Sequence, residues 1–170
     1  MSVLRSKWTW IVALLVAGLA AIAAFSRTSV HAELLVPAKP DEVWRVLTDT
    51  AAYQDWNPVL FRVEGSFVEG SQVTLHLRQP DGPGLVITTS VRRVVDAQEL
   101  NQVGGMTGVL TFDHRFLLRA VDGGTQLIQH EVYRGIGIWF WDSSWVEPAY
   151  ARANEALRDR VLALRDQKAD

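Results

Sequence analysis

Residues 144–166 read SWVEPAYARANEALRDRVLALRD, and their pattern decides the fold. Val146, Ala149, Tyr150, Ala153, Leu157, Val161 and Leu164 recur in steps of mostly three and four. At 3.6 residues per turn those positions share one side, so the spacing predicts a long amphipathic helix. Glu147, Arg152, Asn154, Glu155, Arg158, Asp159 and Arg165 fall largely on the other side and are expected to face water. The helix is expected to start at Asp142 or Ser144, the latter with Glu147 three residues on as a capping box. Pro148, tolerated only in a first turn, agrees with such a start. A lone helix of this kind is marginal in water and needs a broad apolar surface to lie on.

The preceding hundred residues supply that surface, because there the apolar period falls to two. Strands are predicted over 60–67, 72–78, 85–95, 99–103, 108–121 and 125–134. Turn clusters separate them: Glu69-Gly70-Ser71, residues 79–84 (QPDGPG), Asp96-Ala97 and Asp122-Gly123-Gly124. Connections this short imply an antiparallel meander and not βαβ units. Upstream, residues 29–37 are strand-like, with Val30, Ala32, Leu34 and Val36 on one face. Residues 40–48 read as a short helix opened by Pro40 or Asp41, with Val43, Trp44 and Leu47 apolar. Residues 51–56 read as a second short helix, stopped at Asn57-Pro58 because the residue before a proline avoids the α region. The glycine-rich residues 104–108 join two strands and are expected to form a flexible turn at a cavity mouth. The order is that of an α+β domain, a curved antiparallel sheet wrapped on a long C-terminal helix with a cavity between them.

Residues 8–25 (WTWIVALLVAGLAAIAAF) carry no charge and approach the length needed to span a bilayer. Arg5 and Lys7 precede them, and Trp8 and Trp10 suit a membrane interface, so the N-terminus is expected in the cytoplasm. The chain therefore divides into an N-terminal transmembrane helix or signal anchor over 1–28 and a folded domain over 29–170. The alternative is a signal peptide cut near Val30-His31-Ala32, which releases a secreted domain. The single-pass anchor is preferred, since cutting after Ala32 removes part of the first strand. Either way the domain lies outside the cytoplasm.

A net charge of -2 without a basic stripe argues against a nucleic-acid partner. The absence of cysteine excludes disulfides and thiol chemistry. His31, His76, His114 and His130 lack metal-ligand spacing, and no phosphate loop, nucleophile elbow or dinucleotide fingerprint occurs. No metal, cofactor or catalytic residue is assigned.

Several strings in this order resemble the SRPBCC superfamily, the START-like helix-grip domains often labelled polyketide cyclase/dehydrase. Pro40-Asp41-Glu42-Val43-Trp44 is similar to the family's opening of its first helix, and Tyr53-Gln54-Asp55-Trp56-Asn57-Pro58 to its Y-x-x-W-N-P stretch. Glu69-Gly70-Ser71 resembles a family turn, His114-Arg115-Phe116-Leu117-Leu118 an H-x-F-x-L strand, and Gly124-Thr125-Gln126-Leu127 the hairpin after it. The resemblance covers the chain from about Ser29 to its end and implies the helix-grip fold. The superfamily holds lipid carriers, hormone receptors and cyclases, so function has to be argued from the site.

Alternation on the strand over 108–121 puts Leu110, Phe112, His114, Phe116 and Leu118 on one face, expected to look at the long helix. Thr111, Asp113, Arg115 and Arg119 point the other way. The last strand is ambiguous in phase, with Leu127, Gln129, Glu131 and Tyr133 on one face and Ile128, His130, Val132 and Arg134 on the other. The resemblance implies that the first set faces inward, which brings Glu131 and Tyr133 beside His114. The expected cavity wall is Trp56, Phe112, His114, Phe116, Gln129, Glu131, Tyr133 and Tyr150. Its polar members either satisfy one another as a buried network or meet a ligand. Trp139, Phe140, Trp141 and Trp145 either close one end of the core or form an apolar lip.

The leading expectation is a membrane-anchored domain binding a hydrophobic small molecule or lipid. The alternatives are a cyclase or dehydratase with Glu131 or His114 as base, and an interaction or stress module whose cavity is closed by its own side chains.

Overall fold

The structure, a computed structural model, describes residues 7–79 and 82–167, and of residues 23–25 the backbone only. In chain order come helix α1 (Lys7–Phe25), strand β1 (Arg27–Val36), helix α2 (Pro40–Thr48), a 3₁₀ turn (Thr50–Ala52) and the one-turn helix α3 (Tyr53–Trp56). Six strands follow: β2 (Leu60–Glu64), β3 (Gln72–Leu77), β4 (Leu85–Val95), β5 (Glu99–Met106), β6 (Leu110–Val121) and β7 (Gly124–Arg134). A second 3₁₀ turn (Ile136–Trp139) leads to the long helix α4 (Val146–Asp166).

Local chemistry sets the boundaries. Pro40 opens α2, where its missing N–H costs nothing, and the Lys39 N–H donates to Glu42 Oε2 at 2.9 Å. Asn57 ends α3 in an extended conformation before Pro58. Its Oδ1 accepts from the N–H groups of Val59 and Leu60 at 2.9 and 2.8 Å, which steers the chain into β2.

All strand pairs are antiparallel, in the order β1-β7-β6-β5-β4-β3-β2. The two strands nearest in sequence to α2 and α3 thus form opposite edges, and α2 packs on α4, β6 and β7 while α3 packs on β2 and α4. One close approach locks the β1 edge. A Cβ at Gly124, where φ is +144°, would lie 2.1 Å from the Val36 carbonyl oxygen, so the turn requires glycine there. Thr125 Oγ1 donates to the Ala38 carbonyl at 2.7 Å beside it.

Helix α4 buries Val146, Ala149, Ala153, Leu157 and Val161. Leu157 and Val161 belong to one core cluster with Val36, Val43, Leu47, Tyr53, Val73, Leu100 and Leu127. Three expectations need correction. The capping box does not form: α4 starts at Val146, and Ser144 is held outside it because its N–H donates to Asp142 Oδ1 at 2.9 Å. Asn154, placed on the water side by its polarity, is 2% exposed. Gly104 and Gly105 are strand residues of β5, paired with Phe112 and Thr111, so the turn comes after them.

Helix α1 forms over the charge-free stretch, with its apolar side chains from Trp8 to Ile22 exposed. Membrane crossing does not follow from this. Among the described residues no helix is long and apolar enough to cross a membrane. The expected span of 8–25 runs into residues 23–25, whose side chains lie outside the described set.

If the grip on α4 holds the domain together, Leu157→Ala should cost about 2–5 kcal/mol in denaturant unfolding. The half-buried Leu162 on the same helix offers the comparison, and an equal loss from Leu162→Ala would contradict the grip.

Candidate functional site

A cavity lies between the concave face of the sheet and α4. Its apolar wall comes from Leu47, Trp56, Val59, Leu60, Phe67, Leu75, Leu77, Ile87, Phe112, Phe116, Ala153 and Leu157. Tyr53, Asn57, Thr89, Gln102, His114, Gln129, Glu131, Tyr150 and Asn154 bring polar atoms into the same wall. Its free volume is about 70 Å³. That is small beside the ~300–1,000 Å³ of sites that hold drug-sized ligands. The β5–β6 pairing shapes one wall. Phe112 sits opposite Gly104, and a Cβ there would fall 2.5 Å from the Phe112 ring, so glycine makes room for the aromatic.

Glu131 is the most demanding residue of the wall. Strand alternation turns it inward from β7, where it is 4% exposed. The phenols of Tyr133, on its own strand, and of Tyr150, on α4, both donate to its Oε2. Burial pushes its carboxyl up to about 7, although both phenols favour the ionised form and pull the other way. Tyr133 and Tyr150 are themselves raised, first by burial and then by the charge of Glu131.

His114 faces Glu131 across the β6–β7 pair, and burial pushes its imidazole down to about 4. The ring is therefore neutral near pH 7. Its Nε2 accepts from Gln129 Nε2 at 2.9 Å in the tautomer that carries the proton on Nδ1. On β4 and β5, Thr89 Oγ1 donates to Gln102 Oε1 at 3.0 Å.

Of the eight residues expected in the wall, Trp56, Phe112, His114, Phe116, Gln129, Glu131 and Tyr150 line this one cavity. Tyr133 does not. Its ring packs with Val30 and Val146 and meets Trp141 edge-on at 4.6 Å, so only its hydroxyl serves the site. The aromatic stretch before α4 divides in the same region. Trp141 and Trp145 are partly buried and pack against the core, whereas Trp139 and Phe140 are 68% and 86% exposed.

Sequence reasoning misses Thr89, Gln102 and Asn154. The signal for Asn154 is its position, four residues after Tyr150 and three before Leu157, squarely on the apolar stripe. Thr89 and Gln102 each alternate with buried neighbours, Val91 and Leu100. Among the described residues no group of three or more His, Cys, Asp or Glu side chains could hold a metal ion.

Residues 27–162 match the family described as polyketide cyclase/dehydrase and lipid transport. No curated protein gives a sequence match. Solved structures of the same fold include the ZhuI aromatase/cyclase of Streptomyces sp. R1128, 20% identical, TM-score 0.65, with 80% of this chain and 94% of that one covered. A Rhodobacter sphaeroides protein is 18% identical with a TM-score of 0.67, over 81% of this chain and 93% of its own. A Thermus thermophilus protein is 15% identical with a TM-score of 0.66, over 81% of this chain and 99% of its own. At these identities the likeness is one of fold.

The two buried titrating groups make opposite pH predictions. Glu131, with its pKa raised from 4.5 to about 7, contributes stability that is present below 4.5 and lost as pH rises through 7. His114, lowered from 6.5 to about 4, contributes stability present above 6.5 and lost as pH falls through 4. The windows overlap and oppose each other, so wild type alone reads neither. The stability of Glu131→Gln relative to wild type should rise by about 3 kcal/mol across the Glu131 window, measured by denaturant unfolding at several pH values. A flat difference would mean that the carboxyl titrates normally.

Proposed function

The chain belongs to the polyketide cyclase/dehydrase and lipid transport family, and on that footing we propose that it binds a small hydrophobic molecule between the sheet and α4. One observation carries the reading: aliphatic and aromatic side chains from helices, loops and strands β2, β3, β4 and β6 converge on a space that none of them fills. A guest the size of an aromatic side chain buries about 200 Å². That burial is worth about 5 kcal/mol before the costs of association. The volume favours a single ring or a short chain. A phospholipid with two acyl chains exceeds the cavity as it stands. Among the described tryptophans only Trp56 reaches the cavity, which weighs against a space closed by the chain's own indoles.

The second reading is a cyclase or dehydratase, and Glu131 favours it. A carboxyl poised near neutrality between two phenols can take or give a proton beside a bound guest. It predicts that Glu131→Gln abolishes turnover of a bound substrate while binding persists.

Membrane association is proposed from surface chemistry. Helix α1 exposes apolar side chains from Trp8 to Ile22, Trp139 lies exposed beside its end with Nε1 donating to Ser26 Oγ at 2.7 Å, and the next residue, Phe140, is exposed too. In this reading α1 anchors the domain on the extracytoplasmic face.

Native mass spectrometry with solvent extraction, on the full chain purified from its own membrane, tests the first reading. An apolar molecule at one per chain is expected, and Ala153→Phe, which fills the cavity from α4, should remove it. Retention of the molecule by Ala153→Phe would place it elsewhere. The chain should also stay with the membrane pellet through an alkaline wash, and its release would remove the anchor.

A further inference from the structure

The cavity carries a hydrogen-bonding signature that the fold itself leaves unsatisfied. Among the described residues, the buried side-chain atoms without a hydrogen-bond partner are Trp56 Nε1, Gln129 Oε1 and Asn154 Oδ1. All three residues line the same cavity. Gln129 and Asn154 are 4% and 2% exposed. Folded chains leave few buried polar atoms unpaired, so three of them on residues that line one cavity call for a partner there.

Their polarity can be assigned. Asn154 Nδ2 donates to the Ala32 carbonyl at 3.5 Å, and a carbonyl cannot donate, so Oδ1 is the atom left without a partner. In the Nδ1-protonated tautomer of His114, Gln129 Nε2 donates to the ring, which leaves Oε1 as the second acceptor. The indole N–H of Trp56 can only donate. Thr89 already binds Gln102, and Tyr150 already binds Glu131. The lining contains no lysine or arginine, and Glu131 is its only acid.

Resting on the binding reading above, we propose that the cavity selects a neutral, hydroxyl-bearing apolar molecule, a phenol or alcohol, over the carboxylate or the hydrocarbon of the same shape. A hydroxyl group donates and accepts, so it can bond to an acceptor among Asn154 and Gln129 and also receive the Trp56 N–H. A carboxylate only accepts. It meets two acceptor oxygens and an acid with no cation to compensate. A hydrocarbon fits the walls but leaves all three atoms unpaired.

Isothermal titration of the full chain with p-cresol, p-xylene and p-toluate separates these cases. We expect p-cresol to bind about tenfold more tightly than either of the others, the ratio given by one well-made hydrogen bond to a buried partner. In Asn154→Leu and in Gln129→Met the advantage of p-cresol over p-xylene should shrink to about twofold, with p-xylene binding retained. Either variant suffices if the other does not fold. Equal binding of p-cresol and p-xylene to wild type overturns the selectivity and leaves the container intact. Tightest binding of p-toluate overturns it too. Failure of all three to bind removes the container together with its selectivity.

Discussion

The structure depends on a mismatch of widths. Seven strands about 4.8 Å apart make a sheet roughly 29 Å across, whereas a helix with its side chains is about 10–12 Å thick. A flat sheet would leave most of its apolar face in water. The sheet therefore curls around α4, with α2 packed on α4, β6 and β7 and α3 on β2 and α4. A curled sheet on one helix still encloses more volume than the helix occupies. The cavity is thus a consequence of the architecture. What the particular sequence adds is the choice of atoms that face it.

Those atoms fall into two kinds. The aliphatic and aromatic walls are what any core would offer, and they stabilise the fold whether or not a guest is present. The polar ones act against it. Neutral His114 and raised Glu131 each sit in the state that burial dictates, and their pH windows oppose one another. The outer face of the same strands shows what satisfied polarity looks like. There Asp113 accepts from Asn101 at 2.7 Å and from Arg115 at 2.9 Å, and the Arg115 hydrogen bond holds its carboxyl below the usual range.

Much of this is legible in the residues. Period-two runs and turn clusters locate the strands, and the 3.6-residue stripe locates α4, because burial on one face leaves a mark in composition. The phase of β7 is not legible from its residues alone. Ile128 and Val132 are buried on one face while Gln129 and Glu131 are buried on the other, so hydrophobicity does not choose between them. The partition of the tryptophans is equally hidden, since exposure of Trp139 and partial burial of Trp141 depend on a 3₁₀ turn that composition does not encode. Polarity sends Asn154 to the wrong side of α4. Its place between Tyr150 and Leu157 on the stripe is the better guide.

The burial of Asn154 also bears on where function resides. A stable grip on α4 needs only an apolar side chain at position 154, and a leucine or methionine there would satisfy both helix propensity and packing. The same holds for position 129 on β7 and for position 131, where burial raises the carboxyl and two phenol hydrogen bonds offset only part of that effect. Each of these residues breaks a local rule that its neighbours obey. Breaches scattered through a core would point to a poorly specified fold. Here they converge on one small space whose remaining walls are apolar, which is the pattern of a site maintained at the expense of stability.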